Sequence, residues 1–155
     1  MNSPVPTPIP LRPRSMAVPA SLCSRSSAAL RLERLPVALI VDDCHFVTRR
    51  VARALTARKY ETVVAADGYA GLQMLRSRRF DFIVLDVDMP MLNGLSLLQQ
   101  VRHDPNHAAV PVLMLGDLDS SMDREQALEL GADAYMTKPL QLRPLYAQLE
   151  QICRS

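Results

Sequence analysis

Short apolar runs alternate with amphipathic segments along the chain from Pro36 onward. Runs of four to eight apolar residues are typical of strands that are buried on both faces, as in a parallel sheet. Five runs of this kind predict five strands, at residues 37–41, 61–66, 80–86, 110–115 and 133–137.

The segments between and after these runs carry apolar residues at helical spacing, which predicts five helices. Their apolar positions are Val47, Val51, Ala54 and Leu55; Leu72 and Leu75; Leu95, Leu98 and Val101; Ala127 and Leu130; and Leu145 and Leu149. Gly131 follows the fourth segment as a C-terminal cap. Strands that alternate with helices predict an α/β fold, a doubly wound five-stranded parallel sheet with helices on both faces.

The first 34 residues differ in composition from the rest of the chain. They contain six of the twelve prolines, at positions 4, 6, 8, 10, 13 and 19. Proline removes an amide donor and fixes φ, so we predict a disordered Pro/Arg/Ser-rich tail at 1–34, followed by one folded domain at 35–155. A solvated extension, or translation starting at Met16, is favoured over an organelle transit segment or a basic anchor for a partner or nucleic acid.

Composition limits the classes of protein that need to be considered. No apolar run approaches the ~20 residues of a membrane-spanning helix, so we expect no membrane association through such a segment. The three cysteines, Cys23, Cys44 and Cys153, form no CxxC pair. That pattern predicts reduced thiols and a cytoplasmic location, not a disulfide scaffold or a zinc site.

Charged residues follow several of the predicted strands. Ligands of doubly wound sheets bind outside the carboxyl ends of the strands, and the residues at these ends are Asp42 and Asp43, Asp86, Gly116 and Asp117, and Lys138 with Pro139. No glycine-rich phosphate loop follows the first strand, where the sequence is VDDCHF, so a nucleotide-binding fold is disfavoured.

Three carboxylates, Asp42, Asp43 and Asp86, and the ammonium of Lys138 are therefore expected at one edge of the sheet. Crowded carboxylates raise one another's pKa values unless a cation compensates their charge. Mg²⁺ suits such a site because it binds a few carboxylate oxygens and keeps several waters. Mg²⁺ and Lys138 together would neutralise the oxygens of a phosphoryl group.

Four motifs, LIVDD, VLDVDMPMLNG, PVLML and YMTKP, stand in an order and spacing that resemble the receiver domain of two-component response regulators, a flavodoxin-like fold. The resemblance covers residues 36–152. It implies that Asp86 accepts a phosphoryl group and that Lys138 holds one of its oxygens. It also implies that Asp43 binds Mg²⁺ directly, Asp42 binds it through water, and the Asp88 carbonyl completes the shell.

The resemblance has further structural implications. Lys138-Pro139 is expected to be a cis peptide, and Gly94 is expected to allow a tight turn after the loop that follows Asp86. The partners would be a sensor histidine kinase or a histidine phosphotransfer protein, and a downstream protein target. No attached DNA-binding domain is expected after Ser155, and a homodimer through the fourth and fifth segments is compatible with the family.

Gly116 and Asp117 depart from the family pattern, and the expected position of Tyr135 depends on Gly116. Gly116 stands where the family has a serine or threonine hydroxyl, so one hydrogen bond to the phosphoryl group, about 1.5 to 3 kcal/mol, is missing unless water replaces it. Asp117 adds a negative charge, unless it points to solvent or pairs with Lys138. With space open above Gly116, Tyr135 is expected to lie inward whether or not Asp86 is modified, which would uncouple the usual switch.

Three functions remain compatible with the sequence. The first is a stand-alone receiver that is phosphorylated on Asp86 and is not an enzyme beyond this self-modification. The second is a degenerate receiver that binds a partner without phosphorylation, as Gly116 and Asp117 suggest. The third, less favoured, is an aspartate-nucleophile phosphatase of the haloacid dehalogenase type, with Asp88 as general acid.

Overall fold

The central strands consist almost entirely of apolar residues that are buried on both faces of the sheet. A computed structural model describes residues 34–117 and 121–154. The strands are β1 (Val37–Val41), β2 (Glu61–Ala65), β3 (Phe82–Asp86), β4 (Val112–Gly116) and β5 (Ala134–Thr137). They form one parallel sheet in the order β2-β1-β3-β4-β5, which confirms the predicted fold.

Helices connect the strands and cover the sheet on both sides. They are α1 (His45–Ala57), α2 (Gly68–Ser77), α3 (Gly94–His103), α4 (Ser121–Glu129) and α5 (Leu142–Arg154). Residues of α1 and α5 pack on one face of the sheet, and residues of α2, α3 and α4 pack on the other. The strand order reverses between β1 and β3, so loops from both halves of the sheet meet at the carboxyl ends of these two strands.

The predicted elements are confirmed, but their boundaries shift by one or two residues. β3 and β4 begin two residues later than predicted, and β4 extends to Gly116. The apolar positions predicted for α3 did not include Leu97, which is fully buried in the core. Leu95, which they did include, is only half-buried. The predicted tail at 1–34 lies outside the described residues except for Arg34. Among the residues that the structure describes, no helix is both long and apolar enough to cross a membrane.

Acidic residues tie the starts of the strands together. Asp81 Oδ2 accepts a hydrogen bond of 2.8 Å from the Val37 amide, and Asp133 Oδ2 accepts one of 2.8 Å from the Val112 amide. Each carboxylate lies just before one strand and accepts a hydrogen bond from the first amide of the adjacent strand. That amide would otherwise have no hydrogen-bond partner in the sheet. These acids are structural, and they lie at the opposite edge of the sheet from Asp86.

Arg102, on α3, joins three separate segments. Its guanidinium donates to the carbonyls of Val110 and Gly131, at 2.8 Å each from Nη1 and Nη2, and pairs with Asp133 at 3.0 Å. The planar fork of arginine can serve several acceptors at once, so this one side chain fixes the loop before β4 to the loop before β5. The sequence showed only a basic residue at the end of a helix.

The loop after α3 buries a histidine. His107 is buried, and its Nδ1 lies 2.6 Å from Asp104 Oδ2. This contact lowers the pKa of Asp104. The hydrogen bond to a carboxylate offsets the cost of placing an imidazole against the ring of Phe80, 6.1 Å away between centroids.

Gly94 begins α3 at a point where the backbone passes very close to β3. A Cβ built on Gly94 would lie 2.0 Å from the Asp86 carbonyl oxygen, and the Gly94 amide donates to the Val87 carbonyl at 3.0 Å. The loop from Val87 to Asn93 therefore folds back onto the end of β3. Only glycine permits this approach, because the atoms it would meet are backbone and cannot rotate away.

Gly94→Ala is expected to lower the free energy of unfolding by about 3 kcal/mol or more, because the new methyl group overlaps the Asp86 backbone. Ser96→Ala, in the same helix, serves as the control and should change stability by less than about 1 kcal/mol. Urea denaturation followed by circular dichroism measures both. Equal stability of the two variants would contradict the close approach.

Candidate functional site

The ends of β1, β3 and β5 place two carboxylates around one ammonium group. Lys138 Nζ lies 3.0 Å from Asp42 Oδ2 and 3.1 Å from Asp86 Oδ1. Both aspartates are 2% exposed, so these charges are largely removed from water. The structure thus brings together the three residues that the sequence placed at separate strand ends.

The backbone holds Lys138 in this position from both sides. The Lys138 amide donates to the Gly116 carbonyl at 2.8 Å, which continues the pairing of β4 and β5 by one residue. The Lys138-Pro139 peptide is cis, as the resemblance implied. Beyond it, the Leu140 carbonyl accepts a short hydrogen bond from the Arg50 guanidinium of α1, a contact that the sequence did not reveal.

Asp43 completes an acidic cluster with Asp42 and Asp86. One carboxylate oxygen from each of the three lies within 4.8 Å of the others. Asp42 and Asp86 are buried, whereas Asp43 is exposed. Hard oxygen donors that converge with one side open to solvent suit a divalent cation such as Mg²⁺, which binds a few carboxylates and retains waters. These residues therefore fit the metal that the sequence predicted.

The electrostatic environment alters two pKa values at the site. Burial, reinforced by the charge of Asp42, raises the pKa of Asp86 to about 6, although Lys138 opposes the change. Burial alone would lower the pKa of Lys138, but its hydrogen bonds to Asp42 and Asp86 outweigh that effect and raise it. Lys138 consequently remains an ammonium at neutral pH, while Asp86 is mainly a carboxylate that can react.

Asp88 and Asp117 lie at the rim of this site and contact each other. The Asp88 amide donates to Asp86 Oδ1 at 3.3 Å, and the Asp88 side chain is exposed. The nearby carboxyl group of Asp117 raises the pKa of Asp88. In the described part of the chain Lys138 forms ion pairs with Asp42 and Asp86, whereas Asp117 is exposed, one of the two positions that the sequence left open for it.

The space beside Gly116 is occupied by Tyr135. A Cβ built on Gly116 would lie 1.7 Å from the Tyr135 hydroxyl oxygen and 2.5 Å from Cζ. Tyr135 is 7% exposed and belongs to the core on the side of α3 and α4. Its side chain therefore points inward over Gly116 in this structure, the orientation expected from the sequence.

Asp86→Asn is expected to stabilise the metal-free protein at neutral pH. Since the pKa of Asp86 is raised from 3.8 to about 6, the folded protein binds a proton more tightly than the unfolded chain, and stability falls as the pH rises through that interval. The gain should be about 1 to 3 kcal/mol at pH 7.5 and close to zero at pH 4. Chemical denaturation in EDTA measures it, with the exposed Glu129→Gln as control, and a gain of equal size at both pH values would refute this explanation.

Comparison with known proteins adds evidence that is independent of this geometry. The family described as the response regulator receiver domain matches residues 38–150. The response regulator PleD of Caulobacter vibrioides is 36% identical over 116 residues, which is 75% of this chain and 26% of PleD. The response regulator MprA of Mycobacterium ulcerans is 38% identical over 116 residues, 75% of this chain and 49% of MprA.

A solved structure supports the same relationship. The chemotaxis response regulator CheY4 of Vibrio cholerae superimposes with a TM-score of 0.71 and 29% identity, over 77% of this chain and 99% of that chain. The chain spans about a quarter of the length of PleD and about half of the length of MprA, but nearly all of the CheY4 chain. On this evidence the chain belongs to the family of response regulator receiver domains.

Proposed function

We propose that this chain is phosphorylated on Asp86 in the presence of Mg²⁺ and transmits a signal by binding a target protein. The donor would be the phosphohistidine of a sensor histidine kinase or of a histidine phosphotransfer protein. The observation that carries the proposal is the ammonium of Lys138, which lies within 3.1 Å of both Asp42 and Asp86 beside a third carboxylate, Asp43. Family membership supports the general role.

In the transfer step, a carboxylate oxygen of Asp86 attacks phosphorus and forms a new P–O bond. The bond from phosphorus to the donor nitrogen breaks, and its electron pair leaves with the imidazole. Lys138 neutralises one phosphoryl oxygen throughout, because its raised pKa keeps it charged. Asp42, Asp43, Asp86 and the Asp88 carbonyl would hold Mg²⁺, which offsets the remaining negative charge.

We expect the chain to modify itself and not to be a phosphatase that turns over external esters. In the phosphatase alternative Asp88 would act as general acid toward a substrate. Family membership favours self-modification over this alternative, and the assay with a phosphate ester described below separates the two. We further expect the chain to act in the cytoplasm, where free thiols such as Cys44 and Cys153 remain reduced.

The second candidate is binding of a partner without phosphorylation. Tyr135 fills the space over Gly116, which is the inward position that the resemblance associates with activation in this family. A domain held in one arrangement could present a constant surface to its partner. The first candidate requires that Asp86 accept a phosphoryl group, whereas the second requires no phosphorylation of Asp86.

Incubation with acetyl phosphate and Mg²⁺ distinguishes them. The wild-type chain should gain the mass of one phosphoryl group, and Asp86→Asn should gain none, because it has no carboxylate nucleophile. Intact mass spectrometry measures both, and Glu129→Gln should behave as wild type. An unmodified wild-type chain would contradict the first candidate and favour the second, whereas continuous hydrolysis of a generic phosphate ester would support the phosphatase.

Mg²⁺ should stabilise the protein through the acidic cluster. At a concentration one hundred times the dissociation constant, Mg²⁺ is expected to raise the free energy of unfolding by about 2.7 kcal/mol. Asp43→Asn should abolish most of this gain without unfolding the chain, since Asp43 is exposed. Thermal denaturation with and without Mg²⁺ measures the effect, with Glu129→Gln as the charge-matched control. An undiminished gain in Asp43→Asn would place the metal elsewhere.

A further inference from the structure

Tyr135 carries a buried hydroxyl group that the fold itself does not use. The side chain is 7% exposed, and its hydroxyl has no hydrogen-bond partner among the residues that the structure describes. Burying a hydroxyl without a partner costs free energy that a phenylalanine at this position would not cost. Packing alone therefore explains the ring of Tyr135 but not its hydroxyl group.

The position of this hydroxyl is defined by Gly116. The hydroxyl oxygen lies 1.7 Å from where a Cβ of residue 116 would be, a distance close to the length of one covalent single bond, about 1.5 Å. The hydroxyl of Tyr135 thus overlaps the volume that the side chain of a serine or threonine at position 116 would need. A side chain from β5 places a hydroxyl group at the end of β4, where Gly116 has none.

This location is next to the reactive carboxylate. Asp86 is the last residue of β3 and pairs with Leu115, the residue before Gly116, while Lys138 follows the partner of Gly116 in β5. The charges of Asp86, Asp88, Asp117 and Asp123 all act on the Tyr135 hydroxyl. Together with burial, the dominant cause, they raise the pKa of Tyr135, so the group stays protonated and remains a donor.

A phosphoryl group on Asp86 would present three acceptor oxygens to this edge. Lys138 and the acidic cluster with its metal account for two of them in the proposed mechanism. Gly116 offers no side chain, and the acidic side chain of Asp117 is exposed. Of the side chains described around Gly116, Tyr135 is therefore the one with a buried donor that lacks a partner.

We propose that the Tyr135 hydroxyl donates a hydrogen bond to the phosphoryl group on Asp86, in the place that Gly116 leaves without a hydroxyl. This inference rests on the proposed phosphorylation of Asp86. It assigns Tyr135 a role in binding the phosphoryl group in addition to filling the core.

Tyr135→Phe removes the hydroxyl and keeps the ring. With acetyl phosphate and Mg²⁺, the full chain carrying this substitution should be phosphorylated about ten- to a hundredfold more slowly than wild type, the loss expected for one hydrogen bond to a charged group. Its melting temperature should be unchanged or higher, because an unpaired buried hydroxyl has been removed. Time-resolved intact mass spectrometry and thermal denaturation measure the two effects, whose opposite signs separate a phosphoryl contact from a packing role.

A second pair of variants tests whether a hydroxyl group on residue 116 of β4 can replace that of Tyr135. In Tyr135→Ala the space over Gly116 is open, so residue 116 can carry a side chain. Gly116→Thr combined with Tyr135→Ala should be phosphorylated faster than Gly116→Val combined with Tyr135→Ala. Threonine and valine have the same shape, so the difference measures the hydroxyl alone, even if Tyr135→Phe were to fold poorly.

The outcomes separate this inference from the proposed function. If the wild-type chain is phosphorylated and Tyr135→Phe reacts at the same rate, the hydroxyl makes no phosphoryl contact and the inference is wrong. Equal rates for the threonine and valine variants would likewise overturn it, because the position would then need no hydroxyl. A wild-type chain that takes up no phosphoryl group would refute the proposed function, and the inference with it.

Discussion

The ammonium of Lys138 makes the buried acidic edge of this fold possible. Asp42 and Asp86 are both removed from water, and two such carboxylates would repel each other and lose their hydration without a nearby cation. Lys138 lies at about the same distance from each, 3.0 and 3.1 Å. The compensation is incomplete, since burial and the charge of Asp42 still raise the pKa of Asp86. Asp43 lies open to solvent beside these two carboxylates, so the residues that Lys138 only partly neutralises are also the ones that fit a divalent cation.

The sequence predicted this arrangement because it depends on the local pattern of apolar residues and on the order of strands and helices along the chain. Five apolar runs with helices between them permit few arrangements other than a parallel sheet, whose carboxyl ends all lie at one edge. The sheet therefore brings Asp42, Asp86 and Lys138 to the same edge, and the observed strand order and the length of the lysine side chain bring them into contact. The same logic identified the turn at Gly94, where the backbone of the loop returns to within contact of Asp86. Element boundaries were less accurate, because the first and last pairs of a ladder depend on side chains such as Asp81 and Asp133.

Contacts between residues distant in sequence could not be predicted in this way. Arg102 had the appearance of a solvent-exposed helix residue, yet it joins the loops before β4 and β5 through carbonyl groups that have no sequence signature. His103 is the last residue of α3 and His107 is buried against Phe80, although Pro105 between them gives the sequence the appearance of a loop.

The glycine at position 116 changes the surroundings of its neighbour Tyr135. A glycine at the end of β4 removes a side chain from the site and opens a space that the Tyr135 ring fills to the level of its hydroxyl. Because the ring fills this space, it has little further inward distance to travel, so movement of Tyr135 is a poor candidate for an output signal. Phosphorylation would then act on the hydrogen bonding and charge of a side chain already in place. If Asp86 is phosphorylated as we propose, the change presented to a partner would be electrostatic, an added phosphoryl charge beside the exposed side chains of Asp88 and Asp117, and not a rotation of the aromatic ring.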